Sequence, residues 1–578
     1  MKRCPQCDRV EADDALTFCR ADGTPLMRES GAAGEGAGTL RFSPQSADTT
    51  ETHILPTGEH LNNPAAPTTV LDARLPSGDT RELGKQKTRR GVVIAAVMVT
   101  AVALAASAYF YLSRNKNDKA IESIAVMPFV NESGNADTEY LSDGMTETLI
   151  SSLSQIPKLN VKARSSVFRY KGKEMDAQTV GKELNVQAIL NGRVIQRSDD
   201  LVLYLELVDA QSGNRIWGDQ YNKKLANLIS LQTEIARDVS DKLRVRLSGA
   251  DEQRLAKNYT ENAGAYQLYL KGRYHAFKLT PPEIEKGVGF YRQAIDIDPN
   301  YALAYAGIGD AYRTLPITSD VPPKDAFPKA KAAAHKALQI SDQLAEAHIV
   351  LGWVGFWFDW DWSAAESELK RAIELSPNNA DAHRAYAQLL SSSGRHEEAV
   401  AEGRHARELD PLTLVTNRLE AQFLFYAGRE TEAIDRLQKT LELDPNFWTT
   451  HLGLAQIYIH QQRYDEALAA LGKARELGGN TLVTALTGYA LAMSGRRAEA
   501  QTALNELKKL STQKYVPSHN IAMIYSGLNE KDETFVWLEK AYEERGVHLS
   551  YLKVDPLWDK FRSDPRFQDL LRRVGLPQ

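Results

Sequence analysis

Four residues near the N-terminus carry the chain's clearest metal chemistry. Cys4 and Cys7 stand two residues apart, and Cys19 and Asp22 follow after an eleven-residue gap. Two thiolates at that spacing grip one zinc from a tight turn, and a second turn completes the tetrahedron. Asp22 stands where a fourth cysteine is expected; a carboxylate oxygen binds zinc at about 2.0–2.2 Å. The expected cofactor is a structural zinc held by Cys4, Cys7, Cys19 and Asp22. The alternative is three thiols without metal, since so short a segment buries little core unaided.

A second set of residues recurs along the C-terminal half. Arg384 and Gln388 are followed thirty-four residues later by Arg418 and Gln422, then by Leu452 and Gln456. Stacked glutamines offer donors and acceptors to a main chain laid along them. Two arginines one repeat apart suit bidentate contacts to a carboxylate. The expectation is a groove for an extended protein or peptide partner; the alternative is a hydrated polar face. A third set, Asp143, Arg164 and Ser165, could line a small ligand cleft; the alternative is a structural role, with Asp143 a hydrogen-bond acceptor at a helix entry. Motifs for nucleophile elbows, HExxH zinc hydrolases, Walker loops and kinases are missing from the sequence. His396-Glu397-Glu398 lacks the second histidine at Val400. The chain therefore reads as a non-enzyme.

The arginine and glutamine row is positioned by a repeat. Pro377, Pro411 and Pro445 lie thirty-four residues apart, each after an apolar helix end: AIELSP, ARELDP, TLELDP. Gly394 and Gly428 share the spacing, as do Ala399, Ala433 and Ala467. Small residues let paired helices approach, and proline stops the second helix. This is the period of the tetratricopeptide repeat (TPR), two antiparallel helices per unit. About eight units are expected over 260–550, with 551–578 capping the last interface through Trp558, Phe561, Phe567 and Leu570. Trp353, Trp357, Trp360 and Trp362 cluster in one unit at core-like helical spacing.

Residues 120–250 alternate differently. IESIAVMPFV reads as a strand, Glu139–Ile156 as a helix stopped by Pro157, and Leu159–Ala163 as a short strand. A helix over Asp176–Leu184 precedes three strand-like runs at 188–196, 201–208 and 215–221, and a closing helix over 225–247. That order implies a compact mixed sheet. The stretches IAVMPFVN, YLSDGMTETLISSLSQIPKLNVKARSS and LELVDAQSGNRIWGDQYNKKL resemble the TolB amino-terminal-like domain. Asp143-Gly144, Arg164-Ser165-Ser166 and Gly192 match its motifs. The resemblance implies an extracytoplasmic accessory or sensing domain, which in relatives comes after a membrane span and precedes TPR units.

Gly91–Leu112 runs without a charge and ends in Tyr109, Phe110 and Tyr111. As a helix it is long enough to cross a bilayer, with aromatic rings for the boundary. Six lysines and arginines precede it within twenty residues, against three after it, which places the N-terminus in the cytoplasm. All three cysteines fall on that reducing side. Residues 31–90 are rich in Gly, Pro, Ser and Thr and are expected to be a disordered linker. Residues 1–30 resemble the short zinc ribbons of bacterial membrane proteins, departing from four cysteines at Asp22.

The expected architecture is multidomain: a zinc-ribbon-like knuckle, one transmembrane helix, a compact α/β domain and an all-α TPR superhelical solenoid. A net charge of −5 gives no electrostatic reason to expect nucleic acid. The expected protein is a single-pass scaffold of a bacterial inner membrane. Its periplasmic domains bind protein partners and its N-terminus lies in the cytoplasm. The alternative is a transmembrane signalling receptor with the zinc knuckle as output; a third, weaker reading is an enzyme using a cleft in 120–250.

Overall fold

In the computed structural model, residues 121–578 are described apart from 246–247, 250, 253–258, 319 and 577–578. Three short strands near the N-terminus are described as well. The zinc ligands, the linker and the apolar stretch 91–112 lie outside the described residues. No helix among the described residues is long and apolar enough to cross a membrane, and none of their side chains form a metal-binding cluster.

The first unit of the chain, residues 1–95, contains strands β1 (Lys2–Arg3), β2 (Val10–Glu11) and β3 (Met27–Arg28). They form an antiparallel sheet in the order β2-β1-β3, with Lys2 opposite both Glu11 and Arg28.

The described residues of the second unit, 96–578, begin with the α/β region. Its strands are β4 (Ser123–Val126), β5 (Val130–Asn131), β6 (Asn160–Val161), β7 (Ala188–Arg197), β8 (Asp200–Asp209) and β9 (Arg215–Lys224). The sheet order is β6-β4-β7-β8-β9, with β5 pairing β7. β4 runs parallel to β6 and β7, whereas β7, β8 and β9 form an antiparallel meander. The alternating apolar residues of β8, Leu201, Leu203, Leu205 and Leu207, all face the core. Helices α1 (Glu139–Ser154), α2 (Arg164–Val167), α3 (Ala177–Leu184) and α4 (Leu228–Lys242) complete the region. Asp176 caps α3 by accepting the Thr179 N–H at 2.9 Å. Gly192 is required by close packing. A Cβ there would collide with the Phe129 ring, which is itself buried.

The rest of the chain is helical. The hairpins are α5 (Ala263–Ala276) with α6 (Pro281–Ile297), α7 (Ala302–Thr318) with α8 (Pro323–Ile340), and α9 (Ala345–Val354) with α10 (Trp362–Leu375). They continue with α11 (Ala380–Ser393) and α12 (His396–Leu409), α13 (Leu414–Tyr426) and α14 (Glu430–Leu443), and α15 (Trp448–His460) and α16 (Tyr464–Glu476). The last are α17 (Thr481–Met493) with α18 (Arg497–Ser511) and α19 (Ser518–Gly527) with α20 (Lys531–Glu543). Gly394, Gly428 and Gln462, equivalent positions in successive turns, all adopt positive φ. First helices of successive hairpins touch one another as well as their own partners, so they form the inner face.

Two features depart from a plain repeat. A π-helical turn, Gly355–Asp359, interrupts the third hairpin and leaves Trp360 at φ 60°. Trp353 and Trp357 pack there with ring centroids 4.0 Å apart, as core rather than as a binding surface. The end of the chain also does more than cap. Trp558, Phe561, Phe567 and Leu570, the last two on α21 (Pro565–Arg573), do pack into one core with Phe535 and Leu538 of α20. The segment before them crosses the inner face toward α9, α11 and α13.

Candidate functional site

The expected ligand cleft of the α/β region is a seam. Asp143 lies within α1 rather than at its entry, and its carboxylate accepts from Lys171 Nζ at 2.6 Å. Arg164 turns instead to Glu147, its guanidinium stacked 3.9 Å from the Phe168 ring and 4.3 Å from Phe277. Ser165 and Ser166 each donate to one carboxylate oxygen of Asp410, at the end of α12. Thr413 Oγ1 adds a bond to Ser165 at 2.6 Å, and the Leu412 N–H donates to Ser166 at 3.0 Å. Asp143, Arg164 and Ser165 therefore do not converge on a cavity; the repeat array fills the space where a ligand was expected.

The seam is built from groups that helix ends leave over. Lys162 Nζ donates to the Glu408 carbonyl at 2.6 Å, and Arg169 to the Leu443 carbonyl at 3.0 Å. Both carbonyls lie in last helical turns, where they lack an intrahelical donor. Burial pushes the Lys162 ammonium down to about 8, with Asp410 and Glu408 opposing the shift. Asn378 donates to the carbonyls of Ile156 and Leu159, both at 2.9 Å. The hydrophobic core runs without a break from the sheet through the first hairpins.

The inner face holds the arginine and glutamine row, but not as a continuous ladder. Arg418 donates to Gln422 and, at 3.4 Å, to Gln456 Oε1. Gln422 Nε2 passes a bond on to the Tyr426 hydroxyl at 3.1 Å. Arg418, Gln422 and Gln456 come together as one part-buried network. Arg384 belongs to another: it pairs with Asp381, which accepts from Arg313 at 3.0 Å, while Arg313 also pairs with Asp310. Gln388 is 1% exposed and its Nε2 has no protein partner, so it offers nothing to a ligand lying on the surface. The expected glutamine ladder across three repeats is therefore broken: Gln388 is buried, and Arg384 is tied to Asp381 rather than facing an open groove.

The cause is the chain's own segment from Arg545 to Phe561. Arg545 donates to the Phe358 carbonyl at 3.3 Å and stacks 4.3 Å over Trp360. His548 stacks on His519 of α19 with centroids 5.2 Å apart, and Tyr551 lies beside Trp357 and Arg418. Lys553 reaches the Ser393 carbonyl at 3.3 Å. Sequence periodicity does not announce this strap, which folds as 3-10 turns over Val547–Tyr551 and Pro556–Phe561. Its one sequence signal is four apolar residues, Val547, Leu549, Leu552 and Val554, ahead of Asp555-Pro556 in a stretch without helical period.

Comparison with known proteins agrees with the helical half. Residues 361–412 and 424–488 match the family model for the tetratricopeptide repeat. The matched residues are tetratricopeptide repeats. Its residues 119–238 match the model for the second domain of HilA/YgeH-like transcriptional regulators. A protein named putative adenylate cyclase 3 in Rhizobium meliloti is 32% identical over 186 residues, 32% of this chain and 32% of that protein. The transcriptional regulator HilA of Salmonella typhimurium is 25% identical over 133 residues, 23% of this chain and 24% of the regulator. The chain thus spans about a third or less of the length of these curated relatives. A solved structure of Pseudomonas aeruginosa PilF is 23% identical, covering 36% of this chain and 93% of PilF, with a TM-score of 0.28.

Proposed function

We propose that this chain is a membrane-anchored scaffold that binds protein partners through its repeat array and the α/β region docked on it. The carrying observation is the inner-face network of Arg418, Gln422 and Gln456, polar side chains gathered where a packed core would hold apolar ones. The anchor is the charge-free stretch 91–112, and the TolB-like resemblance of 121–250 supports an extracytoplasmic location for the domains after it. A reporter active only outside the cytoplasm is expected to work when fused after Gln578 and to be silent after Glu82. The reverse pattern would overturn the orientation. For the scaffold itself, cross-linking in intact cells should identify a protein held by residues 113–578. Failure of that protein, once purified, to bind the full chain would overturn the reading.

The N-terminal segment is proposed to hold zinc. Strands β1 and β2 pair as Lys2 with Glu11 and Arg3 with Val10, so Cys4 and Cys7 fall in the sequence joining them. Full-length protein under reducing conditions should carry close to one zinc per chain, and Cys7→Ser should remove it. A wild-type chain without metal would end the proposal.

A signalling receptor is the second reading. The names of the matched relatives, a cyclase and a transcriptional regulator, favour it, since a module shared with such proteins suits a sensing role. We read the module itself as binding rather than catalytic; the cyclase's activity belongs to a protein of which about two thirds lies outside the match.

A further inference from the structure

The strap closes the inner face with groups that a permanent core avoids. Arg418 is part-buried, donates only to neutral glutamines, and pairs with no carboxylate among the described residues. Asp555 of the strap is 8% exposed and accepts the Leu557 N–H at 3.0 Å, with no ion-pair partner among the described residues. The stacked His548 and His519 bring two more titratable rings into the same interface. On the inner helix α11, Gln388 Nε2, Ser391 Oγ and Ser392 Oγ have no hydrogen-bond partner among the described residues. Buried hydrogen-bonding groups are nearly always satisfied in a settled interior, and an unpaired ion there is costly. Against this, Leu549 and Leu552 are fully buried and hold the strap in place. The contact is therefore tight in its apolar half and frustrated in its polar half.

We propose that the strap is an internal competitor for the inner face. An extended acidic segment of a partner protein pairs a carboxylate with Arg418, and residues 547–554 leave as it enters. The inference rests on the scaffold reading above and adds the chemistry of the partner and its regulation. Charge complementarity selects the occupant: the guanidinium lacks a carboxylate, and bidentate pairing with one is its strongest available bond. Burial, the largest cause, pushes the Asp555 carboxyl up to about 6, which agrees with a contact that closes at some expense. Closure also sets the apparent affinity, because a ligand that binds only the open form is weakened by the fraction that is open.

The test uses the full chain and a fluorescein-labelled short peptide of alternating glutamate and leucine, with a lysine–leucine peptide as control. Wild type should bind the acidic peptide weakly and the basic one not at all. Amide exchange across 547–554 should quicken when the acidic peptide is bound. The double substitution Leu549→Ala, Leu552→Ala should tighten binding by at least about tenfold by raising the open fraction. Adding Arg418→Gln should remove that gain, and Arg418→Lys should keep part of it. Unchanged exchange in the strap of peptide-bound wild type would overturn the proposal, even if the leucine variant does not fold. Equal affinity of a folded leucine variant and wild type would do the same. If the acidic peptide binds neither while the partner found by cross-linking binds wild type, the scaffold reading stands and the strap proposal falls.

Discussion

Replacing Glu147 by glutamine is expected to lower the stability of the α/β region and the first hairpin by about 3 kcal/mol. The Glu147 side chain is 2% exposed and serves two guanidiniums, Arg164 on one oxygen and Arg273, 2.9 Å away, on the other. Both cations stack on Phe277, and Arg273 also donates to the Tyr269 hydroxyl at 3.0 Å. Glutamine keeps the shape and removes the charge, leaving two like charges facing each other in a confined site. Burial already pushes the Arg164 guanidinium down to about 10, with Arg273 adding to the shift. Breaking a buried pair costs roughly 3–5 kcal/mol; the low end applies because the arginines keep 26% and 20% side-chain exposure. The seam couples this site to α12, so amide exchange in α1 and α5 should rise together with the loss. A denaturant series showing less than about 1 kcal/mol of destabilisation would mean that solvent already screens the cluster.

Acid is expected to loosen the strap. Burial first, then the neighbouring ring, holds His519 down to about 3, and burial with nearby Arg418 holds His548 down to about 4. Both rings are neutral in the fold and take protons readily once released. Their stabilisation is complete above the ordinary histidine value of about 6.5 and is lost as pH falls toward 4 and 3. Asp555 acts in the opposite sense: its carboxyl, raised to about 6, favours the closed form as it protonates. Between about pH 7.5 and 4.5 the two histidines lose stabilisation while Asp555 returns part of it, so the net change is a loosening of the strap. Other groups surround the pair. Asn520 and Trp558 flank His519, while Tyr551 and Arg418 flank His548. Asp320 and Glu544 line the adjoining cavity, and Lys514 stands 4.0 Å from Asp320. Burial raises the Asp320 carboxyl, so it opposes the histidines in the same direction as Asp555. The measurement is strap exchange against pH in wild type and in His519→Asn, His548→Phe. Parallel profiles in the two proteins would exclude the histidines as the cause.

Residue spacing was enough to place the helical hairpins and the long strands of the meander in order. Apolar residues at helical spacing, with proline closing each second helix, are local properties, so the hairpins from 263 to 543 were legible in the amino-acid pattern. The same holds for the α/β region, where leucines alternating along 201–207 specify which face of β8 meets the core. Even the turn positions 394, 428 and 462 came from spacing alone, because a left-handed residue must stand where each first helix ends.

Which polar residues remain open to a partner depended on how the whole chain packs. Ser165 and Asp410 lie 245 residues apart, and their pairing depends on how the sheet docks on the array. The equivalence of Arg384 and Arg418 was correct as a repeat position and misleading as chemistry. One meets Asp381 on its own helix, and the other meets glutamines under the strap. A repeat specifies where a side chain points relative to its helix. It carries no information about what a distant segment will lay across it, because that contact rests on the shape of the whole superhelix. The strap has no helical period of its own, and its burial comes from Leu549 and Leu552 finding a surface that exists only after the hairpins have stacked.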